Sequence, residues 1–272
     1  MRRVDPRDVA RSVATLAVVT VFLAPLALLA VGSLRPEGAP PARGFELPRD
    51  PTVASYGRVS ELVPFGRMAL NSAWVTAVVV PVSVVVASWA GFAAARLPRR
   101  SALLLVVLAA IAFSVPGNSL AVGRAVVYRW TGASSGPWPL LAPALLGGTP
   151  LAVLVFAWRY RTLPAHTWDL SREIGLSPLA TWWRVVVPQT WAVTGAVAAL
   201  VFVVTWGNVV DPLFFVADPR WATVPIGVRS LASLPLPSQP VMLAAAVLAT
   251  VPALVVAALL LGRGVRALGA GR

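Results

Sequence analysis

"SAWVTAVVVPVSVVVASWAGFAAA", residues 72–95, runs for 24 residues without one charged side chain. A helix needs about 20 mostly apolar residues to cross a hydrocarbon core about 30 Å thick. Inside that core no water is present to satisfy the backbone, so such a run must be a helix or part of a closed barrel. A barrel strand alternates apolar and polar residues; this run does not. It predicts a transmembrane helix. Five more runs of the same kind follow the same logic, at 12–32, 102–122, 140–158, 190–210 and 241–262, each uncharged through its centre. The expected fold is an all-α membrane protein of six transmembrane helices. It divides into an N-terminal span with its outer loop (1–71) and a five-span core (72–272).

Composition agrees with lipid as the solvent. Hydrophobic residues make up 58% of the 272, charged residues 12%, and the mean hydropathy is +0.78. Ordinary soluble domains carry about 45–50% apolar and about 25% charged residues, so a soluble enzyme is excluded. Cysteine is absent and His166 is the one histidine, which removes disulfides, thiolate chemistry and histidine-cluster metal sites; no metal site is expected. All 23 basic residues are arginine and the formal charge is +13. These arginines sit in short clusters between apolar runs rather than on one basic face, so nucleic acid is not the expected partner. Without lysine the chain has no phosphate-binding loop of the Gly-x-x-x-x-Gly-Lys type.

The first run could be a signal peptide, but Val13–Val31 is long for a signal core and Asp5 and Asp8 stand ahead of it. It is read as an uncleaved span. Orientation follows the arginines. With the N-terminus inside, the inner segments hold 14 arginines, among them Arg2, Arg3, Arg96, Arg159 and Arg172, against four acids; the outer segments hold nine against six. That predicts N-in, C-in topology. The proline-rich loop at 33–71 reads as extended chain on the outer surface, and Gly147, Gly148 and Pro150 are expected to break the fourth span.

The inner loop is different in kind. In "LPAHTWDLSREIGLSPLATWWRVVVPQTW" (163–191), Asp169, Leu170, Glu173 and Ile174 are spaced for a short helix. Gly175 permits a reversal at positive φ. Ser177 is placed to cap a second helix with Pro178 at its first position. The expectation is helix, glycine turn, helix, on the inner face. By periodicity this segment is equally an amphipathic interfacial helix with tryptophans at headgroup depth or a docking element for a partner.

The same stretch resembles the coupling loop of binding-protein-dependent ABC importer permeases, whose signature reads Glu-Ala-Ala, three residues, Gly, twelve residues, Pro. Gly175 and Pro188 keep the glycine-to-proline spacing, Pro164 matches the preceding proline, and Ser177, Trp183 and Arg184 fall in the family's pattern. Asp169, Leu170 and Ser171 stand at the acidic triplet, and Ile174 replaces the usual aspartate. "PFGRMALNS" (64–72), "VPGNSL" (115–120), "WGNVVDPLFFVADP" (206–219) and the Gly-Ala-Gly tail resemble further family elements in order, closest to the sugar-importer branch. The resemblance implies a type I importer bundle in a bacterial inner membrane. It also implies an ATPase dimer docked at loop 163–188 through Asp169, Leu170, Ser171, Glu173, Ile174, Gly175, Leu176, Ser177 and Pro188. A second, paralogous permease and an extracytoplasmic solute-binding protein complete the assembly. ATP and magnesium would sit on the partner, and no cofactor on this chain.

A solute path needs polar groups away from lipid. The candidates are Asn71, Ser72, Ser114, Asn118, Thr205, Trp206, Asn208 and Asp211, each of which helix capping or interhelical bonding explains equally well. No carboxylate or arginine lies at the centre of a span, which favours a neutral polar solute over a polyamine or an anion. A secondary transporter or a membrane-embedded enzyme remain the readings from other classes.

Overall fold

The helix Phe65–Arg96 (α3) extends the deciding run at both ends, because Phe65, Gly66 and Met68 continue the apolar pattern outward and Arg96 closes the last turn. Before it come α1 (Pro6–Ser33) and α2 (Ala54–Leu62); after it come α4 (Arg99–Ser114), α5 (Ala121–Trp130), α6 (Trp138–Arg161), α7 (Ala165–Glu173), α8 (Pro178–Thr181), α9 (Val187–Gln189), α10 (Trp191–Trp206), α11 (Val210–Phe215), α12 (Val224–Leu231) and α13 (Gln239–Gly269). This computed structural model describes residues 6–39, 46–133, 136–216 and 218–269, and no strand occurs among them. Side chains of 6–11, 117, 118, 143, 146, 147 and 260–269 lie outside the description, as do Arg2, Arg3, Arg43 and Arg272.

By length and composition, three helical stretches among the described residues suffice to cross a membrane: Ser12–Ser33, Phe65–Arg96 and Leu236–Leu259. Pro178–Gln189 and Trp191–Trp206, bent by 87° against each other, make a fourth if they count as one span. The run expected at 102–122 is divided. α4 stops at Ser114, Val115 takes an extended conformation (φ −76°, ψ 118°), and a 3₁₀ turn (Gly117–Leu120) leads into α5. Pro116 accounts for the break: its ring excludes the helical conformation from the residue before it. The expected break at Gly147–Pro150 is absent, since α6 runs unbroken from Trp138 to Arg161. Gly148 instead lets α10 approach, with Val201 Cγ2 only 3.3 Å from where a Cβ would stand. The loop expected to be extended at 33–71 contains α2 and the first turns of α3.

The chain forms two units. The first comprises the described residues up to Phe65 together with Gly227–Thr250. Its core gathers Val59, Leu231, Val241, Ala244 and Ala245. Ser33 Oγ lies 2.7 Å from the Tyr56 hydroxyl, which ties the end of α1 to α2. The Ser12–Ser33 stretch buries none of its most apolar window; Leu16 and Phe22 are exposed. Apolar area costs about 25 cal/mol per Å² in water, so such a helix requires lipid or another protein around it.

The second unit comprises Gly66–Ile226 with the residues from Val251 on. Its core is built from α3, α6 and α10, through Val75, Val79, Phe92, Phe156, Tyr160, Val197 and Val201. Small residues let α3 and α6 meet closely. A Cβ on Gly91 would fall 2.5 Å from Phe156 Cβ and 2.8 Å from the Ala157 nitrogen, the kind of backbone approach that drives helix pairing in membranes.

Candidate functional site: the 163–188 loop and a small cavity

α7 starts after Pro164, which stands at its N-cap in an extended conformation. One face of this helix is buried through Thr167 and Ser171, and Ser171 Oγ donates to the Thr167 carbonyl at 2.7 Å. The same side sends Trp168 to the Phe92 ring, 6.0 Å between centroids. Asp169, Leu170, Glu173 and Ile174 lie on the open face, with Leu170 55% and Ile174 60% exposed. Ser171, read with them from sequence, points the other way: it is four residues from Thr167 and shares its buried face. Asp169 and Arg172 form a loose, exposed ion pair at 3.8 Å, of little energetic consequence.

The chain then reverses as expected. Gly175 has φ +70°. Its N–H donates to the Arg172 carbonyl and the Leu176 N–H to the Ser171 carbonyl, both at 3.0 Å. This pair of bonds is the Schellman closure of a helix C-terminus. Nothing lies within 4 Å of a Cβ built on Gly175, so the backbone angle alone demands glycine there. Leu176 is half-buried, and Ser177 is exposed, its Oγ accepting from the Ala180 N–H at 3.3 Å with Pro178 at the first helical position.

Beyond α8 the helix loosens into one π-turn, Trp182–Val186, where the Val187 N–H reaches back to the Trp182 carbonyl. Pro188, exposed, has no N–H to donate in the next position. The π-turn brings both Trp182 and Val186 inward. Trp182 Nε1–H donates to Ser88 Oγ at 2.7 Å, and Ser88 Oγ lies 2.7 Å from the Tyr160 hydroxyl. The Trp182 ring stacks at a tilt on Trp89, 5.2 Å away, while Trp183 is 63% exposed. The three tryptophans of this loop therefore do not form one interfacial belt: Trp182 is buried, Trp168 half-buried, Trp183 open. Sequence reading missed Ser88, Trp89, Phe92 and Tyr160; the available signal was a serine-tryptophan pair inside an otherwise apolar span.

Four of the path candidates meet elsewhere in this unit. Ser72, Thr205, Trp206 and Asn208 line one small cavity together with Thr223. The hydroxyls of Thr205 and Thr223 are buried without a hydrogen-bond partner among the described residues. Ser72 Oγ accepts from the Val224 N–H at 3.0 Å. Asp211 sits beside the cavity: its carboxylate accepts from Asn208 Nδ2 at 2.6 Å and lies 3.3 Å from Arg124 Nη1, with both charged side chains less than one-fifth exposed. Asn71 is employed differently. Its Nδ2 donates to the Arg220 and Ala222 carbonyls, both at 2.8 Å. It thereby lines a separate, open cleft of about 650 Å³ with Arg67, Trp138 and Arg220. Beside it the hydrogen bond from Arg220 holds the half-buried Asp218 carboxyl below the usual range. Ser114 is exposed and bonds only the Ala110 carbonyl, so it is not part of the group. The Asn118 side chain lies outside the described residues.

Asp211→Ala removes the counter-ion of Arg124 and a partner of Asn208 at once. Leaving such buried groups unpaired costs about 1–3 kcal/mol. The expected outcome is a lower thermal midpoint in detergent, with partial recovery in the double variant Asp211→Ala/Arg124→Leu; a double variant no better than the single would show that the pair contributes nothing.

No family model matches the chain. In sequence it is similar to the arabinooligosaccharides transport system permease protein AraQ of Bacillus subtilis, 24% identical over 247 residues, covering 87% of this chain and 85% of that protein. It is also similar to the trehalose transport system permease protein SugB of Mycobacterium tuberculosis, 25% identical over 218 residues and covering 78% of each. Its fold matches a chain of a bacterial ABC transporter that imports the acidic polysaccharide alginate, with TM-score 0.73 and 15% identity, covering 94% of this chain and 97% of the other. In fold the chain is thus similar to a chain of an ABC importer, and in sequence to permease proteins of transport systems.

Proposed function

We propose that this chain lines the solute path of an ATP-driven sugar importer and takes its energy through the 163–188 loop. The observation that carries the reading is the loop itself. Its open face presents Asp169, Leu170 and Ile174 on a helix whose other face is fastened to the bundle, which is the shape a docking element needs. An ATPase dimer, holding ATP and magnesium, would receive this face in a cleft, with Glu173, Gly175, Leu176, Ser177 and Pro188 shaping the turn. A solute-binding protein would deliver substrate from outside, and a paralogous permease would form the other half of the pore.

Sugar as the solute is supported by the names of the relatives, which carry arabinooligosaccharides and trehalose. The cavity's hydroxyls and amide are uncharged and Asp211 is balanced by Arg124, which fits a path for a neutral solute, although at about 10 Å³ the cavity itself admits no more than a water. ATP binding would shift the population between inward- and outward-open bundles.

The chain lacks cysteine, so Ile174→Cys supplies a single attachment point. Crosslinking from it in native membranes, followed by gentle purification and mass spectrometry, is expected to recover an ATPase covalently bound, with a second permease and a binding protein alongside. A loop that crosslinks only to lipid would leave the interfacial-helix reading in its place.

The six-span, N-in, C-in arrangement belongs to the same proposal. α4 rises only about 24 Å at 1.5 Å per residue, so it would cross together with the turn at Gly117–Leu120. Single cysteines at Glu173 and Ser233 test the topology. A membrane-impermeant maleimide should label the second in intact cells and the first only after permeabilisation; labelling of both in intact cells would overturn it.

A further inference from the structure

The inner loop touches α3 twice within about one helical turn. Trp168 of α7 packs on Phe92, and Trp182 of the π-turn bonds Ser88 and stacks on Trp89. Tyr160, fully buried near the end of α6, completes the Ser88 site at 2.7 Å. Arg96 lies over one ring of the cluster, its guanidinium 5.3 Å from the Phe92 ring centre. At its other end the same helix carries Ser72, a wall of the polar chamber. Ser72 and Ser88 are 16 residues apart on one continuous helix, about 24 Å along the axis.

We propose that the Trp182–Ser88–Tyr160 hydrogen-bonded cluster is a rigid joint that makes the inner loop and α3 move as one body, so that α3 acts as the lever between the loop and the chamber. Trp182, Ser88 and Tyr160 are positioning residues in this scheme. The inference rests on the permease reading for its biological meaning, but the rigidity of the joint is a property of this chain alone.

The physical reason is directionality. Apolar packing is roughly proportional to contact area and has no preferred register, so two rings in contact slide at low cost. A buried N–H···O bond at 2.7 Å does fix register, because in a low-dielectric interior breaking it leaves a donor without a partner. Ser88 Oγ accepts from the indole and is hydrogen-bonded to the phenol hydroxyl, so one serine links three elements: α3, α6 and the π-turn. The π-turn itself fits the role. Such turns are rare and cluster at functional positions, and this one turns Trp182 inward immediately before the 87° elbow between Gln189 and Trp191. Without the clamp, displacement of the loop would be absorbed at the elbow instead of reaching α3.

The test uses the absence of native cysteine. Nitroxides at His166→Cys on α7 and Leu97→Cys just beyond α3, both exposed positions, report the loop-to-lever distance by pulsed electron resonance. In the full chain the expected distribution is narrow. Tyr160→Phe keeps the ring and removes the hydroxyl, whereas Trp182→Phe removes the indole N–H together with part of the ring; each should broaden that distribution. Ser88→Ala, which removes both bonds with little change of volume, should broaden it at least as much as either. In the complex with its ATPase, trapping with ATP and vanadate should leave the wild-type distance unchanged and shift it in Trp182→Phe, while without vanadate the variant complex still hydrolyses ATP. A narrow distribution in all three variants, or a wild-type distance that changes on trapping, overturns the joint. Failure to recover any ATPase would strike the permease reading but leave the measurement on the isolated chain intact.

Discussion

Gly175→Val is expected to abolish solute uptake while the protein remains inserted, folded and abundant. The turn holds φ at +70°, a region that a β-branched residue enters only as a genuine outlier. The strain has one outlet, since no atom lies within 4 Å of the added Cβ. No neighbour must move, and the core of the unit, around Val79, Phe156 and Val201, is untouched. The two Schellman bonds to Arg172 and Ser171 open instead, and the Leu170–Ile174 face swings away from Ser177 and α8. Uptake into whole cells, compared with the amount of protein in the membrane, measures the effect. Gly175→Asn is the companion variant, because asparagine tolerates positive φ better than other non-glycine residues; it should retain a substantial part of the transport. Normal uptake by the valine variant would mean that the shape of the turn is not part of coupling.

Gly91→Val should do the opposite and remove the folded protein itself. A Cβ here lands 2.5 Å from Phe156 Cβ, 2.8 Å from the Ala157 nitrogen and 2.9 Å from the Phe156 carbonyl carbon. Two of these atoms are backbone, so no rotamer change relieves the clash and α3 must move off α6. Overpacking of a well-packed core costs about 1–3 kcal/mol; two extra methyl groups against backbone place this variant at the upper end or beyond. Separation of the helices would also pull Tyr160 away from Ser88, undoing the hydrogen-bonded cluster. Thermal scanning in detergent should show an aggregated or much less stable protein. Gly123→Ala is the control. Gly123 lies inside α5 at ordinary φ with nothing within 4 Å of the new Cβ, and alanine there should stabilise by about 0.5–1 kcal/mol. If Gly91→Val melted where the wild type does, the close crossing of α3 and α6 would be wrong.

The contrast between these glycines shows what kind of information each part of the molecule needed. The requirement at Gly175 is local. A short amphipathic helix, a glycine and a Ser-Pro cap stand in sequence, and the bonds that close the turn join residues no more than five apart. The requirement at Gly91 is not local, because Phe156 is 65 positions away and no periodicity in 72–95 says which helix will lie against which face. The same holds for the tryptophans. Trp168, Trp182 and Trp183 read alike in the sequence, yet a single π-turn and a serine on another helix separate an anchor from an exposed ring.

Long apolar runs, the reversal at Gly175 and the cap at Ser177 were determined by the sequence itself, because solvation by lipid and backbone sterics act over a few residues at a time. Pairings between distant residues were decided only by the tertiary structure. Asp211 finds Arg124 across 87 positions, Ser88 finds Tyr160 across 72, and Ser72, Thr205 and Asn208 come to line one chamber. Within the membrane every helix is apolar on nearly all sides, so hydrophobic patterning cannot choose the face. The choice falls to small residues that permit close approach and to a few polar groups that must find each other away from lipid.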